Sequence, residues 1–100
     1  MATIHITVGH NVRGIRTWTT ADVCRAFERI ANVDAYTAIP CYGMWRGEAE
    51  ESTRIEVFTD NPAPILETMG ALAGALEQDA VMVETFAPVT TFATPTPHAA

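Results

Sequence analysis

Hydrophobic and polar residues alternate at the start of the chain. Ile4, Ile6 and Val8 occupy every second position between Thr3 and Val8, with threonine and histidine residues between them. A period of two places the apolar side chains on one face of a β-strand and the polar side chains on the other. The pattern predicts a half-buried first strand.

A helix is predicted after the loop of residues 9–18, which is long enough to carry function. Thr19 and Asp22 resemble a capping box, although Asp stands where Glu or Gln is more usual. Helical spacing then predicts an apolar face made of Val23, Phe27 and Ile30. We expect this helix to end near Asn32.

The middle of the chain predicts two strands joined by a polar connection. Residues 35–45 form the first strand, in which Pro40 and Gly43 predict a bulge or a sheet edge. Residues 46–51 are the connection, and alternation over residues 52–58 predicts the next strand. Together they predict an antiparallel hairpin.

A second helix is predicted to begin at Pro62, because proline suits the first helical position. Its buried stripe consists of Ile65, Met69, Leu72 and Leu76. Small residues at 70–75 predict that this helix lies close to the sheet. Residues 80–86 predict another strand, and residues 89–93 an extension or a short fifth strand.

The order strand, helix, strand occurs twice, which predicts an α+β fold of the ferredoxin-like βαββαβ type. Such a fold has a four-stranded antiparallel sheet with two helices on one face. We expect a single domain over residues 1–93 and a flexible tail over residues 94–100. The sheet face without helices could be covered by another copy of the chain, so we expect self-association into a homo-oligomer.

Composition and charge narrow the function classes. The net charge of −6 argues against a partner such as duplex nucleic acid. No apolar run is long enough for a membrane span and the N-terminus does not resemble a signal peptide, so we expect a cytoplasmic protein without a membrane partner. All six basic residues are arginine, which suits phosphate or carboxylate binding, although a GC-rich genome would produce the same bias. Neither the two cysteines nor the histidines form a metal-ligand pattern, and we expect no metal and no cofactor.

The stretch from residue 39 to residue 92 resembles a known group of proteins. The residues that carry the resemblance are Gly43-Met-Trp45, Glu51-Ser52, and the segment from Gln78 to Met82, separated by a strand and a helix. In order and spacing they resemble the uncharacterised DUF3574 family and similar small phage proteins. The resemblance implies a phage origin but no biochemical activity, since the family has no settled function.

Aromatic and charged side chains are concentrated between residues 41 and 56. Tyr42 and Trp45 could stack on a base or another ring, or could be core or interface residues. Arg46 and Arg54 could approach each other across the hairpin and grip a phosphate, or could pair with neighbouring glutamates. Glu51 could act as a general base or belong to a charged hairpin tip.

The loop after the first strand supplies a second group of candidates. His10 is expected to be exposed and to titrate near neutrality, so it is a candidate acid-base residue together with Glu51 if the protein is an enzyme. Arg13 could meet an anionic group, while Asn11 and Gln78 could contact polar edges of a ligand. Ser52 lacks the surroundings of a hydrolase nucleophile.

Three hypotheses follow. The favoured one is a small oligomeric ligand-binding protein, of phage origin, that sequesters a small anionic or nucleotide-like signal. The second is a hydrolase or phosphodiesterase on the same scaffold, and the third is a structural protein-interaction module. Whether there is turnover is left open by the sequence.

Overall fold

The chain folds into one four-stranded antiparallel sheet with helices packed on one face. A computed structural model describes residues 1–45, 47–87 and 95, apart from the side chain of Trp45. The elements in chain order are β1 (Ala2–Gly9), β2 (Asn11–Val12), β3 (Ile15–Arg16), α1 (Thr20–Ala31), β4 (Thr37–Trp45), β5 (Glu48–Thr59), α2 (Ala63–Glu67), α3 (Met69–Ala75) and β6 (Met82–Phe86).

The strand order confirms the predicted fold class. The main sheet runs β4-β5-β1-β6, and all neighbours are antiparallel. The first and third long strands lie in the centre, and the second and fourth lie at the edges, as in a ferredoxin-like α+β fold. The proposed fifth strand at 89–93 and the tail at 94–100 fall outside the described residues, except for Pro95.

The core lies between the sheet and the helices. The alternating apolar residues of β1 and β5 face the helices, and the predicted stripe of the second helical region meets them. Its buried members are Ile4, Ile6, Val8, Val23, Ala26, Phe27, Ile55, Val57, Ile65, Met69, Leu72 and Leu76. Burial of these side chains is the main stabilising contribution, at roughly 25 cal/mol per Å² of apolar surface removed from water.

Helix α1 begins and ends where its sequence predicts. The Thr19 hydroxyl accepts a hydrogen bond from the Asp22 backbone, and the Asp22 carboxylate accepts one from the Thr19 backbone. The Thr19 backbone N–H and hydroxyl both donate to the Asp22 carboxylate, and these two bonds hold the pKa of Asp22 below its usual value because they favour the charged form. Asn32 ends the helix in the left-handed conformation, with a φ of 54°.

The loop after β1 is more ordered than predicted. Within it, β2 and β3 form a small hairpin, in which Asn11 pairs with Arg16 and Val12 with Ile15. Arg13 and Gly14 form the turn and both have positive φ, 49° and 80°. Two positive φ values give the turn the twist that a two-residue hairpin requires.

The predicted polar connection at residues 46–51 is wrong for most of its length. Strand β5 already begins at Glu48, which pairs with Trp45. Pairing continues without a bulge past Pro40, which lies on an edge strand as expected. Glu51 pairs with Tyr42 and therefore lies within the sheet, away from the hairpin tip.

The second helical region is divided rather than continuous. Thr68 separates α2 from α3, and its hydroxyl donates to the Ile65 carbonyl at 2.7 Å. The glycines of the small-residue run do not serve close packing: a Cβ added at Gly70 or Gly74 would meet nothing within 4 Å. Among the described residues, none of the helices has the length and apolarity to cross a membrane.

The sheet face opposite the helices carries the polar residues of β1. His5 lies there as predicted, 3.2 Å from the Glu56 carboxylate and edge-on to Phe86. Arg54 also pairs with Glu56, at 3.0 Å. We refer below to this surface as the open face.

Candidate functional site

A cleft opens where the end of β1 meets the start of α1 and the middle of the β4–β5 hairpin. Its volume is about 400 Å³, which falls in the range of small-molecule sites. It is lined by His10, Arg16, Thr20, Pro40, Cys41, Tyr42, Glu51 and Ser52. Residues from five separate elements and loops thus meet at one place.

A second cleft, of about 550 Å³, lies at the other end of β5, between the end of α1 and the start of α2. It is lined largely by aliphatic residues, and Asp34 is its one ionisable lining residue in the described part of the chain. The first cleft brings together a histidine, an arginine, a glutamate and a tyrosine. It is therefore the candidate site.

His10 is fixed in the wall of the first cleft. Its backbone N–H donates to the Glu51 carbonyl at 2.9 Å, and its carbonyl accepts from Thr17 and Trp18. The side chain is 3% exposed, so the prediction of an exposed imidazole is wrong. The alternation of buried side chains continues past Gly9, so His10 takes the next inward-facing position after Val8.

The His10 ring belongs to a short chain of hydrogen bonds. Nε2 lies 2.7 Å from the Thr53 hydroxyl, which is fully buried, and that hydroxyl lies 2.8 Å from the Thr20 hydroxyl at the start of α1. The other ring nitrogen, Nδ1, is buried and has no hydrogen-bond partner among the described residues. We call His10, Thr53 and Thr20 the hydroxyl relay.

Burial lowers the pKa of His10 below its ordinary value of 6.5, because the imidazolium loses hydration. The guanidinium of Arg16 lowers it further, and the carboxylates of Glu51, Glu50 and Asp22 oppose the shift. The ring is therefore neutral at pH 7, and it contributes hydrogen-bonding atoms to the site rather than a positive charge.

Arg16 and Glu51 supply the charges of the cleft. Arg16 Nε lies 2.5 Å from Glu51 Oε2, and both side chains are partly exposed. The hairpin β2–β3 turns the chain back so that Arg16 reaches the β5 strand. The cleft thus presents one cation and one anion side by side, to which a ligand can offer groups of opposite sign.

Tyr42 provides an aromatic surface beside these charges. It lies opposite Glu51 in the β4–β5 pairing and is 75% exposed. An exposed phenol ring offers a flat apolar face for another ring.

Asn11 and Gln78 lie close together, and both form hydrogen bonds within the protein. The Gln78 amide donates to the Asn11 carbonyl at 2.9 Å and to the Leu76 carbonyl at 3.1 Å. The Asn11 backbone N–H donates to Glu50 Oε1 at 3.0 Å. In this structure these bonds tie the His10 loop to β5 and to the end of α3.

The remaining predicted residues lie elsewhere. Arg13 is in the β2–β3 turn, 3.8 Å from Glu77. Arg54 lies on the open face, where it forms the ion pair with Glu56 that the sequence left as an alternative. Arg46 falls outside the described residues, as does the Trp45 side chain. Of the predicted set, the cleft lining combines His10, Tyr42 and Glu51.

Sequence reasoning missed Arg16 and Thr20. Arg16 could have been found from the pattern Val12-Arg-Gly-Ile15, in which a glycine between two apolar residues indicates a turn. Thr20 follows the capping threonine, and only the fold places its hydroxyl beside Thr53. No group of three or more residues suited to metal binding occurs within the described ranges.

Comparison with known proteins adds a likeness of fold. No protein-family model matches the chain, and no curated protein matches it. The structure of a phage SAM lyase in complex with S-methyl-5'-thioadenosine superposes with a TM-score of 0.73 at 20% identity, over 85% of this chain and 79% of that chain. The same kind of enzyme in its apo state gives a TM-score of 0.69 at 21% identity, over 85% and 78% of the two chains. At this identity the likeness establishes a shared fold.

Proposed function

We propose that this chain is a small phage protein whose cleft binds an adenine nucleoside carrying a sulfur group, of the class of SAM and S-methyl-5'-thioadenosine. The observation that carries the proposal is the cleft itself: a tyrosine, an arginine–glutamate pair and a buried histidine meet in about 400 Å³. The fold likeness to a phage SAM lyase bound to S-methyl-5'-thioadenosine supports this choice of ligand.

The chemistry of the lining suits such a ligand. The exposed ring of Tyr42 can stack on adenine, since base and phenol both offer flat apolar faces. SAM ends in an amino acid, which carries an ammonium and a carboxylate. Glu51 can accept hydrogen bonds from the ammonium and Arg16 can donate hydrogen bonds to the carboxylate, each in exchange for part of their mutual ion pair.

The charge balance also refines the type of ligand. Among the described residues the cleft lining holds one arginine and one glutamate, so a zwitterion or a neutral nucleoside is better matched than a polyphosphate. A chain with a net charge of −6 would further repel a multiply charged anion. The proposal therefore keeps the nucleotide-like ligand of the sequence hypothesis and replaces its anionic character with a zwitterionic one.

The charged pair can be tested by calorimetric titration of SAM into variants. Glu51→Gln should weaken SAM binding by roughly tenfold or more, because the ammonium loses a charged acceptor. Arg13→Gln, outside the cleft, is the matched control and should bind like the wild type. Equal affinities of Glu51→Gln and the wild type would refute the assignment of the pair to this ligand.

A lyase activity is the second candidate function, because the proteins that share the fold are named as SAM lyases. A lyase that breaks the bond between sulfur and the amino-acid side chain of SAM would leave the adenosine part as S-methyl-5'-thioadenosine. The bonding electrons stay on sulfur, which becomes a neutral thioether, while the carboxylate of the same amino acid forms the new bond to the carbon that held the sulfur and closes a lactone. Incubation with SAM followed by chromatography should then show S-methyl-5'-thioadenosine above the uncatalysed background, while unchanged SAM would leave binding as the function.

Self-association and location belong to the same proposal. The open face exposes Phe58, Met82 and Phe86, a surface that a second copy of the chain could cover. A ligand of the SAM class would place the protein in the cytoplasm. The resemblance to the DUF3574 family stays a hypothesis, as does the phage origin.

A further inference from the structure

The hydroxyl relay has two directions in which its hydrogen atoms can run. Thr53 has one hydroxyl hydrogen and two neighbours within hydrogen-bond distance, His10 Nε2 at 2.7 Å and Thr20 Oγ1 at 2.8 Å. It can donate to one of them and must accept from the other. The tautomer of His10 therefore determines whether Thr20 donates its hydroxyl hydrogen to Thr53 or accepts one from it.

The burial of Nδ1 selects one direction. If Thr53 donated to Nε2, the hydrogen of the neutral ring would lie on Nδ1, where a buried N–H would have no acceptor among the described residues. Orphaned buried N–H groups are rarer than unsatisfied acceptors in native proteins. With the hydrogen on Nε2, only an acceptor lone pair of Nδ1 stays unpaired. The ring then donates to Thr53, and Thr53 donates to Thr20.

This direction leaves the hydroxyl hydrogen of Thr20 free. Thr20 Oγ1 accepts from Thr53, and no other bond of this hydroxyl occurs within the described ranges. Thr20 is partly buried and lines the cleft together with Arg16 and Tyr42. An acceptor atom of a ligand can therefore reach this hydrogen from the cleft.

We propose that Thr20 is a specificity-determining hydrogen-bond donor of the cleft, held in that role by Thr53 and the Nε2–H tautomer of His10. This inference rests on the proposed function, and it assigns to the bound nucleoside an acceptor atom at Thr20: a ribose oxygen or an unprotonated purine nitrogen. His10 acts through Thr53 and is a positioning residue.

The first test is the tautomer of His10, and it needs no ligand. Long-range ¹H–¹⁵N spectra of the free protein at pH 7.5 should show a protonated Nε2 and an unprotonated Nδ1. A protonated Nδ1 would reverse the relay and overturn the inference, whatever the protein binds. His5 and His98 give further histidine signals in the same spectrum, and the loss of one signal in His5→Gln and of another in His98→Gln leaves the signal of His10.

The second test compares Thr20→Val with Thr20→Ser in calorimetric titrations of S-methyl-5'-thioadenosine. Valine keeps the shape of threonine and removes the hydroxyl, so binding should weaken by roughly tenfold. Serine keeps the hydroxyl and should bind within about twofold of the wild type, on the same basis. Thermal unfolding of both variants checks that they fold.

The outcomes separate this inference from the proposed function. If the wild type binds S-methyl-5'-thioadenosine and Thr20→Val binds it equally well, the donor role of Thr20 is wrong and the cleft proposal stands. If the wild type binds neither this nucleoside nor SAM, the proposed function fails, and the donor assignment fails with it. If serine weakens binding as much as valine, the methyl group and not the hydroxyl is responsible, which also overturns the inference.

Discussion

At the scale of single residues, His10 shows how position in the fold changes chemical character. A histidine beside glycine in a polar loop suggests an exposed acid-base residue, but the backbone bonds to Glu51, Thr17 and Trp18 draw this one into the cleft wall. Once buried, it is neutral and binds a hydroxyl group. In the proposed site, its role is to set the direction of a hydrogen-bond chain.

The lowered pKa of His10 predicts a pH dependence of stability. The unfolded histidine binds a proton near pH 6.5, whereas the folded one binds it only at lower pH. Between those two pKa values the unfolded state holds more protons, so the free energy of unfolding should fall as pH falls below 6.5 and level off below the folded pKa. Urea unfolding of the wild type at pH 8, 7, 6 and 5.5 measures this slope.

The matched variant for this prediction is His10→Gln, whose amide can keep a polar contact with Thr53 and does not titrate. Its free energy of unfolding should vary less between pH 8 and 5.5 than that of the wild type. Parallel curves for the two proteins would show that His10 does not carry the acid sensitivity.

At the scale of elements, sequence periodicity predicted the amphipathic strands and helices, but it missed the short β2–β3 hairpin and the early start of β5. The alternation of Ile4, Ile6 and Val8 and the stripe that includes Leu72 predicted buried faces, because each must cover the same core. The β2–β3 hairpin was missed because Arg13 is an unusual residue at positive φ. The early start of β5 was missed because Glu50 and Glu51 are depleted in strands in general.

The candidate site could be predicted only in part. His10, Tyr42 and Glu51 were candidates for their side-chain chemistry, and strand pairing brings them together. Arg16 reaches the cleft through a hairpin that was not predicted. Arg54 has the same side chain as Arg16, but strand alternation places it on the open face. The chemical character of a site residue follows from its type, whereas the register of strand pairing determines which of these residues meet in one site.

A substitution at Gly9 tests how much the hydrogen bond between Glu50 and the Asn11 backbone contributes to stability. A Cβ at this position would collide with the Glu50 carboxylate, which accepts the Asn11 backbone N–H. Gly9→Ala should displace that carboxylate and lower the free energy of unfolding by about 1.5–3 kcal/mol, the range for a hydrogen bond to a charged group. Chemical denaturation measures the change.

Gly70→Ala is the control for this substitution. Its Cβ would meet nothing within 4 Å, and alanine favours a helix over glycine, so it should raise the free energy of unfolding by about 0.5–1 kcal/mol. If the two alanine variants change the free energy of unfolding in the same direction, the bond between Glu50 and Asn11 does not account for the effect of Gly9→Ala.

At the scale of the whole molecule, one sheet carries two different surfaces. The helix side contains the core and, at its end, the cleft. The open face carries the contact of His5 with Glu56 and the Arg54–Glu56 ion pair, together with exposed phenylalanines.

Self-association through the open face has a direct test. Phe86 is 43% exposed at the edge strand β6, so Phe86→Glu removes an apolar contact without touching the core. The wild type should show the mass of an oligomer in light scattering, and the variant a lower mass at the same concentration. Leu66→Glu, on α2 and 37% exposed, should not change the mass. A monomeric wild type would exclude the proposal.

The central claim is that the cleft beside His10 is a binding site for a sulfur-bearing adenine nucleoside. Its most direct test is calorimetric titration of S-methyl-5'-thioadenosine into the wild-type protein. The account predicts saturable binding with one site per chain, weakened in Tyr42→Ala because the stacking ring is lost. The absence of saturable heat with this nucleoside and with SAM would contradict it.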